Sequence, residues 1–125
     1  MPMNDEVTLT LPHDREFHRV AHLVLGGLAL RLNLTLEVLE DLQLAVDGLL
    51  ESGSPGSDVT LSMKVLPDAL EASVGPFPGQ TVRHELERDD DGIGLRRVLD
   101  TTMDRVEVAE RDGSEWVHLT KRIAP

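Results

Sequence analysis

The stretch Val59-Thr60-Leu61-Ser62-Met63-Lys64-Val65 alternates apolar and polar residues, turns at Pro67-Asp68, and alternates back through Leu70-Glu71-Ala72-Ser73-Val74. A period of two places Val59, Leu61, Met63 and Val65 on one side of a strand and the polar residues on the other. Two such runs around a Pro-Asp turn read as an antiparallel hairpin with one buried face. A sheet that is wet on one face needs a helical layer on the other, so a two-layer sandwich is expected.

The flanking sequence supplies that layer. Val7, Leu9 and Leu11 alternate with Thr8 and Thr10 as a further strand. Pro12-His13-Asp14 ends it, and Asp14 is placed to cap a helix over 15–32. Phe17, Val20, Ala21, Val24, Leu28 and Leu32 recur there at helical spacing. Gly26-Gly27 lies inside this helix at a cost of about 1 kcal/mol each relative to Ala, so close packing against a neighbour is expected. Thr35 is placed to cap a second helix over 36–52, with Leu36, Leu39, Leu42, Val46, Leu49 and Leu50 as its apolar face. Gly53-Ser54-Pro55-Gly56-Ser57 is a loop.

Beyond the central hairpin, Gly75-Pro76-Phe77-Pro78-Gly79-Gln80 reads as loop and Val82 to Arg88 as a helical turn or two. A third helix covers 93–103, and Val106, Val108, Val117 and Leu119 form a last hairpin around Asp112-Gly113. The order β-α-α-β-β-α-β-β predicts one α+β domain over 1–125, a five-stranded, mostly antiparallel sheet with three helices on one face. Phe17, Val24, Leu28, Leu39, Val46, Leu61, Met63, Val98 and Val106 occupy apolar phases and are expected to be buried.

Composition narrows the function. The chain has 125 residues, 40% of them hydrophobic, enough for one aliphatic core. Phe17, Phe77 and Trp116 are its only aromatic residues, which leaves little to stack on bases or sugar rings. Twelve basic residues against 23 acidic ones give a net charge of −11, which repels nucleic acid and anionic membranes and suits a basic protein partner. Without cysteine there is no disulfide, thiolate metal site or Cys nucleophile. No apolar run approaches a membrane span, and Met1-Pro2-Met3-Asn4-Asp5-Glu6 lacks the positive start of a signal peptide, so a soluble cytoplasmic, bacterial-sized chain is expected.

Three phrases carry a resemblance. Leu42-Gln43-Leu44-Ala45-Val46-Asp47-Gly48-Leu49-Leu50 resembles the pattern L-A-V-[SD]-E-A-x-x-N, Gly92-Ile93-Gly94-Leu95 resembles a glycine box that closes an ATP lid, and Met103-Asp104-Arg105-Val106-Glu107-Val108 resembles a D-x-V-x-V strand start. Together with the element order they resemble the RsbW-type anti-sigma regulatory kinases of the GHKL histidine-kinase-like ATPase superfamily, with its Bergerat-like fold. The resemblance covers nearly the whole chain. It implies bacterial transcription regulation by partner switching, with a sigma factor or an antagonist protein as partner and Mg-ATP as cofactor. A homodimer is compatible with it.

The departures fall on the chemistry. In the family the helix-2 Glu polarises the attacking group and the Asn four residues on holds Mg²⁺; here those positions are Gly48 and Ser52. Phosphoryl transfer rests on positioning and charge stabilisation, so the loss removes the main contribution of the site. Asp47 is one residue away, about 100° around the helix, and faces elsewhere. The family's D-x-G-x-G, whose Asp reads the adenine amino group, corresponds to Val74-Gly75-Pro76-Phe77-Pro78-Gly79, with no carboxylate. Ser52, Gly92, Gly94 and Leu95 are then vestigial nucleotide-site residues. Asp89, Asp90 and Asp91 sit where the lid would be; they favour the helix dipole behind them, repel a triphosphate, and are candidates for contact with a basic partner.

Elsewhere, His18 and His22 have metal-like i,i+4 spacing but no third ligand, and read as a solvated helix face. Glu40 and Asp41 read as one acidic helix face, and Trp116 as a sheet-face or interface residue. No catalytic residue, metal site or required cofactor is expected, and any Mg-ATP binding should be weak. The function expected is non-catalytic regulation of anti-sigma type through protein–protein binding. The alternative is an active ATP-dependent anti-sigma serine/threonine protein kinase with a divergent site.

Overall fold

The computed structural model describes residues 5–51, 57–79, 81–87 and 94–123. Five strands, β1 (Asp5–Pro12), β2 (Asp58–Val65), β3 (Ala69–Pro78), β4 (Arg105–Arg111) and β5 (Ser114–Arg122), form one sheet in the order β1-β2-β3-β5-β4. Every neighbouring pair is antiparallel. The register explains why the period of two was decisive. Leu9, Leu61, Val74, Val117 and Val108 fall in one row across all five strands, and Val7, Met63, Ala72, Leu119 and Val106 in another. The row between them is Thr8, Ser62, Ser73, His118 and Glu107, on the opposite, polar face. On it Thr8 and Ser62 hydroxyls are 3.2 Å apart, and Ser73 Oγ is 2.8 Å from His118 Nδ1.

Helices α1 (His18–Leu32), α2 (Leu36–Glu51), α3 (Thr81–Glu87) and α4 (Leu95–Thr102) join the apolar rows in one core. Asp14 accepts a hydrogen bond from Glu16 N and starts a short 3-10 turn at Arg15–Phe17 ahead of α1. Asn33, at φ 58°, closes α1 in the left-handed conformation. Thr35 Oγ1 then accepts from Val38 N and caps α2. Asp112 and Gly113 both have positive φ, as a two-residue hairpin turn requires, and link β4 to β5.

Several expectations need correction. The segment 75–80 is not loop throughout: β3 continues to Pro78, with a register shift between Val74 and Phe77. Pairing to β2 ends at Gly75, so Pro76 and Pro78 follow the point where β3 has neighbours on both sides, and proline is tolerated there. The helical turn or two expected over 82–88 is present as α3, two turns long, so that only the count of helices changes, to four among the described residues against the three expected. Phe17 is 36% exposed because it belongs to the 3-10 turn and is out of phase with α1. The buried stripe of α1 is centred on Ala21, Leu25, Leu28 and Ala29, with Val20, Val24 and Leu32 at its margins. That rotation leaves Gly26 and Gly27 facing no neighbour within 4 Å, so they are not packing glycines within the chain. Leu28, Val46, Leu61 and Met63 are buried as expected, whereas Val24, Leu39, Val98 and Val106 are half-buried.

Candidate functional site

Helix α2 buries Leu42, Ala45, Val46, Leu49 and Leu50 against the sheet and turns its flanks toward α1 and α4. Asp47 lies on the α1 flank, its Oδ1 accepting from His22 Nε2 at 2.7 Å. His22 is therefore half-buried in an interhelical pair and not part of a solvated face. His18 departs from that reading as well, since its Nε2 is buried with no hydrogen-bond partner among the described residues. Among the described residues no group of three or more His, Asp or Glu is arranged to hold a metal.

Gly48 lies on the opposite flank, under α4. A Cβ built on it would stand 3.1 Å from Leu95 Cδ1 and 3.8 Å from Val98 Cγ1. Gly94 is the N-cap of α4 and makes no side-chain cap bond. Leu95, directly after it, is buried, and Leu99 is fully so. The two described residues of the glycine phrase, Gly94 and Leu95, thus bring an apolar helix end down on the point where the resemblance puts a catalytic Glu. Ser52, Gly92, Asp89, Asp90 and Asp91 lie outside the described residues.

The stretch matched to the adenine-reading motif is equally well filled. Val74 and Phe77 are buried in the sheet, and the Phe77 ring meets His13 edge to face at 6.5 Å between centroids. His13 is itself buried, its Nε2 against the carbonyl of Leu50 at the end of α2. Opposite Phe77 in the register is Glu115, which is fully buried. Glu115 Oε1 accepts from the backbone N–H groups of Val82 (2.9 Å) and Arg83 (3.2 Å), and Oε2 accepts from Arg83 Nε at 3.3 Å. A carboxylate from β5 therefore satisfies the free N–H groups that open α3. On the other side of the sheet, Gly75 admits Trp116. A Cβ there would sit 2.7 Å and 2.9 Å from the indole and 2.9 Å from the Glu115 carbonyl oxygen.

Sequence reading missed Glu115 and the largely buried Lys121, yet both left a signal. They share the inward phase of Val117 and Leu119 on β5, and a charged residue in an apolar phase announces a buried partner. For Lys121 that partner set is Asp41 Oδ2 at 2.8 Å and the Thr102 carbonyl at 2.9 Å, which joins β5 to α2 and to the end of α4. Asp41 is therefore an internal anchor as well as part of an acidic face.

Known proteins sort with this geometry. The serine-protein kinase RsbW of Listeria innocua is 29% identical over 142 aligned positions, covering 97% of this chain and 89% of the relative. RsbW of Listeria monocytogenes serotype 4a matches at the same identity and coverage. The chain is similar over nearly its whole length to RsbW-type proteins. A crystal structure of the RsbU and RsbW domains of a Mycobacterium tuberculosis protein superposes with a TM-score of 0.66 at 16% identity. That match covers 96% of this chain and 33% of the longer one, and it supports the fold. No family model matches the chain. The five-stranded antiparallel sheet with helices on its apolar face is the architecture expected from the element order, and the Mycobacterium tuberculosis structure shares it. No helix among the described residues is long and apolar enough to cross a membrane.

Proposed function

We propose that this chain is a non-catalytic, cytoplasmic regulator of anti-sigma type, a single domain that works by binding a sigma factor or an antagonist protein while its own side chains occupy the former nucleotide site. The observation that carries this is the packing of Leu95 and Val98 of α4 on Gly48 of α2. Mg-ATP does not fit the residues present. At position 48 there is no carboxylate and no room for one under α4, and along 74–79 the adenine-reading acid is missing at Val74, which is buried together with Phe77. The groups missing at Gly48, Ser52 and Val74 are worth about 1–3 kcal/mol each as charge-assisted contacts, together several decades of affinity.

Titration calorimetry with Mg-ATP, paired with a phosphorylation assay on a serine-bearing antagonist, tests the reading. The expected result is no heat of binding at millimolar nucleotide, no transfer, and partner binding that ignores Mg-ATP. Phosphoryl transfer establishes the alternative, an active kinase, which likeness to the Listeria serine-protein kinases favours, and submillimolar binding alone overturns the loss of the nucleotide site. Asp89, Asp90 and Asp91 are the proposed contact for a basic partner. Their replacement by Asn should slow association and flatten its dependence on salt.

A further inference from the structure

Helices α1 and α2 form an antiparallel hairpin: His22 of α1 meets Asp47 of α2 at 2.7 Å, and Arg15, just ahead of α1, meets Glu51 at 3.7 Å. Of the five large apolar side chains exposed among the described residues, four lie on this hairpin: Leu23 (74%) and Leu30 (86%) on α1, Leu36 (69%) and Leu44 (55%) on α2. At about 100° and about 1.5 Å per residue, Leu23 and Leu30 lie within about 20° of one another, about 10 Å apart and opposite the buried stripe of α1. Counting along both helices from the His22–Asp47 contact brings Leu23 level with Leu44 and Leu30 level with Leu36, each to within about one turn. The leucines thus make two rungs across the outside of the hairpin. Gly26 and Gly27 lie between the rungs, with nothing within 4 Å of where a Cβ would stand, and leave a gap in the outer surface of α1.

The unpaired charges on the hairpin are segregated along its length. Asp41, Asp47 and Glu51 each have a cationic partner, whereas Arg19, Glu37 and Glu40 are exposed and form no ion pair among the described residues. Arg19 lies one turn before Leu23, at the end of the hairpin where α1 begins. Glu37 and Glu40 flank the Leu36 rung at the other end, where α2 begins. The outer face therefore runs from basic to acidic over about 15–20 Å.

We propose that this face docks an amphipathic helix of another protein, laid along the α1–α2 hairpin as a third helix and running parallel to α1. Its apolar seam covers the two rungs. Residues seven apart on a helix are separated by about 10 Å, which is the spacing of the rungs, and a seam side chain between them fits the gap over Gly26 and Gly27. Its charges are complementary to the face, acidic toward Arg19 and basic toward Glu37 and Glu40. That complement fixes the direction. A helix dipole favours acidic residues in the first turn and basic ones in the last, so the docked helix starts at Arg19 and ends at Glu37 and Glu40. Such a helix, with both signs in balance, meets no net repulsion from a chain of −11, whereas a second copy brings another −11 to the contact. The face shares no residue with the nucleotide-site reading or with Asp89, Asp90 and Asp91, so its test is independent of the proposed function.

The probe is a fluorescein-labelled designed helix of about 18 residues, with a leucine seam, Glu on the flanks of its first half and Lys on those of its second. Fluorescence anisotropy in about 100 mM salt follows its binding to the full chain. A dissociation constant below about 100 µM is expected. Leu30→Ser and Leu44→Ser, each at a side chain already in solvent, should weaken binding at least about tenfold with unchanged circular dichroism spectra. Glu37→Lys combined with Glu40→Lys should weaken it at least about fivefold. A second peptide, with Glu in both halves, should recover that loss on the double variant even though the net charge of the chain repels it. The proposal is overturned by a first peptide that does not bind, by leucine variants that bind it as well as the wild-type chain does, or by an all-Glu peptide that recovers nothing. It is also overturned if the leucine variants dissociate a wild-type dimer or release the chain from phosphatidylcholine vesicles, because a second copy or lipid then covers the face.

Discussion

Replacing Gly48 by Glu restores the side chain that the RsbW-type pattern has at this position, and the structure predicts that it will cost stability without restoring nucleotide binding. The Cβ alone meets Leu95 Cδ1 at 3.1 Å, a few tenths of an ångström inside the usual 3.5–4.0 Å contact. Gly48→Ala therefore sets a helix-propensity gain of about 1 kcal/mol against an off-rotamer shift of Leu95 costing about 0.5–1.5 kcal/mol. The two nearly cancel. Beyond the Cβ, Glu adds four heavy atoms and a charge between α2 and α4, and the helix end must lift to release it. Overpacking of about 1–3 kcal/mol, plus exposure of Leu95 at about 1.5–3 kcal/mol, outweighs the smaller propensity gain of Glu over Gly. The net loss is about 2–5 kcal/mol, or about 1–2.5 M in urea midpoint at an m-value of about 2 kcal/mol/M. Urea unfolding followed by circular dichroism measures it, and calorimetry with Mg-ATP runs beside it. A Gly48→Glu protein as stable as the Ala variant that also binds Mg-ATP would refute the reasoning, because it would show that α4 leaves α2 at no cost.

Three further outcomes are expected. Gly75→Ala should destabilise by about 2 kcal/mol or more, because the Glu115 carbonyl it meets at 2.9 Å is backbone and cannot step aside, and the only tryptophan, Trp116, should report the shift in its emission. Glu115→Gln keeps one acceptor but loses the charge, so it should cost about 1–2 kcal/mol and speed hydrogen exchange at the Val82 and Arg83 amides; unchanged exchange there would mean that α3 does not depend on this carboxylate. Gly27→Ala, with open space around it, should stabilise the monomer by about 0.5–1 kcal/mol in thermal or urea unfolding, and a loss instead would reveal a hidden close contact.

Much of the fold was legible because its signals are local. The alternation in 59–74 survives as two rows of apolar side chains across the sheet, and Asp14, Thr35 and Asp112-Gly113 sit at the cap and turn positions their chemistry favours. The candidate site was legible only as an absence. A glycine at position 48 shows that no acid is present, but its spacing cannot show that Leu95, 47 residues later, has taken the space. Phe17 was misplaced because a 3-10 turn shifts helical phase, an event with no signature in residue spacing. The prolines of 75–80 signal loop in the sequence, but they do not show whether a strand has neighbours on both sides at that point.

Local signals in the chain were enough to set which residues face inward along each strand, where α2 and the final hairpin begin, the acidic balance, and the resemblance that puts Gly48 and Ser52 where the RsbW-type pattern has Glu and Asn. These follow from periodicity, caps and side-chain chemistry, each set within a few residues. Tertiary packing was needed to show that Gly48 is roofed by α4, that Glu115 caps α3 from a strand more than thirty residues away, that Lys121 reaches Asp41, and that a Cβ at Gly26 or Gly27 would meet no neighbour within 4 Å among the described residues. Each of those depends on which elements meet in space, and long-range packing leaves no repeating mark in the chain.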